Sequence, residues 1–323
     1  MPRPARTSPS TRPSSAPNNP KQFTILYSKF IILCALVLSQ AGAHESPEHN
    51  VRELTHHLQT RQSPTHLHQR AIAYRALGQL DKAAADLHSA ITLAPDILPY
   101  HLELARIQLA SNKPNQALKP ANQALQLCQT PSQRANCHIL RAEAYHRSQQ
   151  AKPSLEACQL AFREIPRGEI EWFLLRSENQ LALGHHRQRI SDLKTGYSLH
   201  HSAVLKAHWV DAMIDASRFQ AALPIINGEL SDRRWKSSWL IKRARCLRGL
   251  DRNPEAHSDL HTALNEIKSR LNSSRPDPLL LADQGIIHAL LSQPEQARSC
   301  LTQLKQINCP AWITARLVSM MAE

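Results

Sequence analysis

The sequence predicts an all-α protein built from repeated units, and three observations carry that prediction. Ala, Leu, Gln and Arg abound while long β-branched runs are missing, a composition that favours helix over strand. Only 8 glycines occur in 323 residues, few for a fold rich in turns or phosphate loops. Small residues also recur at a fixed spacing: with Ala71 placed on Ala105, Ala83 falls on Ala117 and Ala90 on Ala124. Self-similarity at such a period is the mark of a repeat architecture.

The repeat continues with small shifts. Ala142, Ala161 and Pro166 mark a third unit, and Ser177, Gly184 and Gly196 a fourth. Phe219 and Ala222 mark a fifth, Ala244, Ala256 and Ala263 a sixth, and Gly285 and Ala297 a seventh, at a period read as 33 to 37 residues. Each unit is long enough for more than one helix, and no such helix buries its apolar face alone. Ala71 and Ala83 let the helices approach, Ala90 admits the next unit, and Ala76 faces outward. Leu67, Leu77, Leu80, Leu87 and Ile91 are expected to fill the seam. Gly78 serves the turn and Pro95 stops the second helix. Arg189, Val210 and Glu229 stand where small residues are expected.

Residues 64–310 resemble the tetratricopeptide repeat family, with Ala71, Tyr74, Gly78, Ala83, Ala90 and Pro95 of the first unit fitting its pattern best. The resemblance implies a right-handed superhelical solenoid of about seven antiparallel helix pairs with a concave inner face. Residues 44–63 are expected to form an entry helix, with Val51, Leu54 and Leu58 on one face. Residues 311–323 are expected to form a capping helix through Trp312, Ala315, Leu317 and Met320.

The first 43 residues stand apart. Residues 1–21 are rich in Pro, Ser and Arg and cannot bury apolar area, so disorder is expected there. Lys29, the nine apolar residues "FIILCALVL" and Ala41-Gly42-Ala43 then read as a signal peptide cleaved after Ala43. The apolar run is too short to span a bilayer, which needs about 20 residues. The expected location is the periplasm or the exterior, with no stable membrane span after cleavage. Formal charge is +13, of which Arg3, Arg6, Arg12, Lys21 and Lys29 supply five, leaving +8 without a basic run or interleaved aromatics. Nucleic acid is therefore not an expected partner.

Six cysteines follow the leader: Cys128, Cys137, Cys158, Cys246, Cys300 and Cys309. Cys128 ends one helix and Cys137 begins the next, so a bridge is reasonable there; Cys300 and Cys309 share the spacing but fit it less well. Cys158 and Cys246 read as small seam hydrophobes. Eighteen histidines include His257 and His261, four apart on one helix face, and His44, His49, His56 and His57 near the expected mature terminus. They leave open a copper- or zinc-handling role, against the plainer reading as exposed polar residues. No cofactor is expected. Neither G-x-S-x-G, a phosphate loop nor H-E-x-x-H occurs, which weighs against an enzyme.

Function is placed on the inner face of the first helices. The family register puts there His68, Ile72 and Arg75, then Leu102 and Arg106, then Glu143, His146 and Arg147, then Glu178, Asp211 and Asp215, then Arg245 and Arg248, and last Ile286. Charge runs basic, acidic, basic, so a helix or extended peptide of complementary pattern is the expected partner. The family's chaperone-tail clamp implies Lys and Asn where His68 and Ile72 stand, so that activity is not expected. The reading is a noncatalytic, exported scaffold for a protein or peptide.

Overall fold

The computed structural model describes residues 46–322 apart from 233, 273 and 308. The leader, its cleavage point and His44 lie outside the described residues. Those residues form sixteen helices and no strand: an all-α helical-repeat solenoid. An entry helix α1 (Pro47–Thr60) precedes seven pairs. These are α2 (Pro64–Ala76) with α3 (Leu80–Leu93), α4 (Leu98–Ala110) with α5 (Pro114–Gln126), and α6 (Pro131–Arg147) with α7 (Ala151–Glu164). Next come α8 (Ile170–Ala182) with α9 (His186–His200), and α10 (Ala203–Asp215) with α11 (Phe219–Asp232). Then α12 (Ser237–Arg248) pairs with α13 (Asn253–Arg270) and α14 (Pro278–Leu290) with α15 (Pro294–Gln306), before α16 (Ala311–Ala322). Among the described residues no helix is long and apolar enough to cross a membrane.

By its contacts the chain divides after Ala90. In the first unit α1 packs on α2. Arg70 ties three helices together, donating to both carboxylate oxygens of Asp86 at 2.7 Å and to Thr55 at 3.0 Å. Leu67, Ala71, Ala83, Leu87 and Ala90 are buried, whereas Leu77, Leu80 and Ile91 stay partly open and Ala76 faces water. Val51, Leu54 and Leu58 are half-buried along α1.

The second unit repeats one scheme. Each second helix packs on the first helix of the next pair, and successive first helices from α4 to α12 also touch directly. The small positions are where the backbones meet: Ala105, Ala117, Ala124, Ala142, Ala161, Ala222, Ala244, Ala256, Ala263 and Ala297 have no exposed surface. Where a larger residue intrudes, the facing helix answers it. Arg189 is 5% exposed, donating to Ser177 Oγ at 3.0 Å and Asp215 at 2.7 Å. Glu229 accepts from Lys206 at 2.6 Å. Gly196 faces the buried Phe173 ring, where an added Cβ would lie 2.8 Å from ring carbons.

All seven turns within pairs end the first helix alike. One residue takes a positive φ: Gly78, Asn112, Gln149, Gly184, Ser217, Asp251 or Ser292. The amide that follows donates back five residues, as Gln79 does to Tyr74 and Arg218 to Met213. This is the Schellman closure of a helix C-terminus. Five of the seven turns use a residue other than glycine, which explains the low glycine count.

Two expectations need correction. Ala256 and Ala297 are 41 residues apart, outside the expected period, because α13 runs to 18 residues and the chain stays irregular until α14. On α16 the buried residues are Ile313 and Leu317, while Trp312 is 40% exposed and Ala315 is exposed. Apolar residues line several sides of α16, so periodicity alone did not fix its rotation.

Two substitutions probe this scheme. Gly196→Ala gains about 1 kcal/mol of helix propensity but overpacks Phe173 at a cost of about 1–3 kcal/mol. A net lowering of the urea midpoint is expected. Ser217→Gly relieves the left-handed backbone and stabilises the fold by about 0.5 kcal/mol after the entropy of glycine is subtracted, so the urea midpoint should rise.

Candidate functional site

The first helices carry the predicted inner-face residues, and because successive first helices touch in the second unit, this layer is continuous there from α4 to α12. His68, Ile72 and Arg75 lie on α2 of the first unit, all partly exposed. The others belong to the second unit, and five of them engage one another across neighbouring helices: His146 with Glu178, and Arg245 with Asp211 and Asp215.

Arg106, 39% exposed at its side chain, approaches Glu103 at 3.5 Å. Arg147 pairs with Glu143 one turn earlier and donates to the Leu109 carbonyl at the end of α4 at 2.9 Å. His146 meets Glu178 at 3.1 Å and Asn179 at 3.1 Å, both on α8. The hydrogen bond to Glu178 raises the His146 pKa above its ordinary value, burial opposes it, and Asn179 adds to the rise. Glu178 keeps 53% of its side chain exposed, the most open of the paired carboxylates on this face.

Further along, Asp215 accepts from Arg189 at 2.7 Å and from Arg245 at 3.3 Å. Asp211 pairs with Lys242, itself only 6% exposed, and has Arg245 at 3.9 Å. Burial works against the Asp211 carboxylate, yet the field and hydrogen bond of Lys242, with Arg316 and His208 behind it, pull it down to about 2. Burial lowers the Lys242 ammonium and Asp211 restores only part of the loss. Arg248 donates to the Leu290 carbonyl at the end of α14 at 3.0 Å.

From Arg106 to Arg248, the predicted residues of the second unit on α4 to α12 are thus brought together along one layer, as an internally paired ladder rather than a row of unsatisfied charges. Ile286 is a correction. It is 1% exposed and belongs to the buried cluster that includes Ile313 and Leu317, because α16 packs against α14 there. Sequence reasoning missed Lys242, Arg189 and Asp283, which is held by Arg316 at 3.0 Å. Arg189 alone carried a signal, as a charge in a small-residue position.

Outside this face, His257 and His261 are both exposed on α13. Among the described residues no group of three or more His, Cys, Asp or Glu converges as metal ligands would. A hollow between α11, α12 and α13 is lined by Arg243, Asp259, Arg252 and Glu255. Its charges are matched pairwise, Arg243 with Asp259 at 2.7 Å and Arg252 with Glu255 at 2.6 Å.

The Asp211 carboxylate, depressed in the folded chain, contributes stability above its unfolded pKa near 3.8 that disappears as pH falls through about 2. Asp211→Asn should therefore cost about 2 kcal/mol at neutral pH. The difference from the parent protein should vanish toward pH 2 in urea titrations run at a series of pH values.

No protein-family model matches the chain, and no curated protein does. Solved structures do. A tetratricopeptide repeat protein from Parabacteroides merdae superposes with a TM-score of 0.60 at 16% identity, covering 80% of this chain and 99% of its own. YrrB, described as a TPR protein with an unusual peptide-binding site, gives 0.48 at 14% identity over 57% of this chain and 93% of its own. MamA from Desulfovibrio magneticus RS-1 gives 0.45 at 20% identity over 55% and 94%. With the seven helix pairs and their small crossing residues, the first of these likenesses shows that this chain has the tetratricopeptide-repeat fold.

Proposed function

We propose that the protein is a noncatalytic, exported scaffold that holds a protein or peptide segment along the first-helix layer of its second unit. The observation that carries this is Glu178, whose carboxylate stays half open to water beside the acidic pair Asp211 and Asp215 of α10, with Arg106 toward one end of the layer and Arg245 and Arg248 toward the other. A segment with a basic centre and acidic ends matches it. The internal pairs hold the face rigid beforehand, so binding orders few side chains. Export rests on the leader read in residues 1–43.

The test is an array of short peptides varied in charge order. Basic-centred peptides should be enriched, and Glu178→Lys should abolish the enrichment, while Lys152→Glu on the exposed side of α7 should not. Asp211 is unsuitable for reversal because Lys242 would be left facing a second cation. Equal binding of acidic- and basic-centred peptides contradicts the proposal.

A further inference from the structure

Cys128 lies just past the end of α5 and Cys137 in the second turn of α6, and their sulfurs are 3.4 Å apart. Both are free thiols. The turn between them is held before any bond forms. Thr130 caps α6 by accepting from the Gln133 amide at 3.2 Å, and Gln133 Oε1 accepts from the Gln129 and Thr130 amides at 2.8 and 3.1 Å. Arg134 is fixed to Glu164 by two bonds of 2.9 Å, anchoring the start of α6 on α7. The Cys128 thiol donates to the Ala124 carbonyl at 3.2 Å. A disulfide needs its sulfurs at about 2.05 Å, a displacement that side-chain rotation supplies with little demand on so fixed a turn.

We propose that Cys128 and Cys137 are a disulfide-forming pair, a covalent staple between the second and third helix pairs beside the inner-face Arg106. It stands whether or not the layer binds a peptide. Cys158 and Cys246 do not share the geometry, being fully buried in different pairs.

Access sets the order of events. Cys137 has no exposed surface, and burial, with the Cys128 hydrogen bond, pushes its thiol up to about 12. Cys128 is partly exposed. The Cys128 thiolate therefore attacks one sulfur of an external disulfide, whose S–S bond breaks, and the released donor thiolate takes up a proton. Cys137 then gives up its proton and attacks the Cys128 sulfur, aided by the fields of Arg106 and Arg141. The mixed disulfide breaks and the second donor thiol leaves. The two cysteines lose two electrons in all, and the external disulfide gains them.

The experiment uses the full chain, equilibrated in glutathione buffers from reducing to oxidising. Intact mass should fall by about 2 Da for one bridge. Trypsin cuts after Arg134, so the expected product is a peptide of residues 107–134 linked to one of residues 135–141. Oxidation should raise the melting temperature of the parent protein by several degrees and leave Cys128→Ser unchanged. A full count of thiols at every poise, a stable glutathione adduct on Cys128, or a bridge from either cysteine to Cys309 overturns the proposal.

Discussion

The structure depends on helices meeting backbone to backbone at points where the side chain is almost absent. Ala83, Ala117, Ala222, Ala256 and Ala297 recur at one such crossing, each with no exposed surface. A methyl group there sets the separation of the pair, and that separation sets how the next pair lands. A repeat stack has no single centre to absorb an error, because each unit contacts only its neighbours. The two exceptions make the constraint visible. Ser154, at the third unit's crossing, donates to the Ala142 carbonyl at 2.7 Å, and Arg189, at the fourth, brings Ser177 and Asp215 as partners.

The same stacking organises the charges. Touching first helices bring residues about one repeat apart into bonding distance: His146 with Glu178, Lys242 with Asp211, Arg245 with Asp215. Ion pairs of this kind contribute modestly to stability when open to water, and a buried one costs desolvation that its partner must offset. Their larger consequence is positional. Long side chains that would otherwise sample many rotamers are held in register along the layer, so its charge pattern is a fixed surface and Glu178 is left as its most open anion.

Much of this was legible in the sequence because small residues in a helical repeat report packing directly. The seven pairs, the buried alanines and the outward Ala76 all followed from spacing. The turns did not, because the left-handed position is filled by Asn112, Gln149, Ser217, Asp251 and Ser292 as readily as by glycine, and a backbone conformation leaves little compositional trace. The pairing of the inner face was hidden for a different reason: its partners lie roughly a repeat apart, and which rotamer reaches which neighbour depends on tertiary packing. Ile286 was misplaced because the rule that exposes its column on the first helices stops applying once α16 packs over α14.

Hydrogen exchange on Ala256→Leu tests the central constraint most directly. Enlarging one crossing should lower amide protection in α12 and α13 and in the helices touching them, α10, α11 and α14, while leaving α4 to α7 protected as in the parent protein. Uniform loss of protection across the second unit, or no loss at all, would contradict the account.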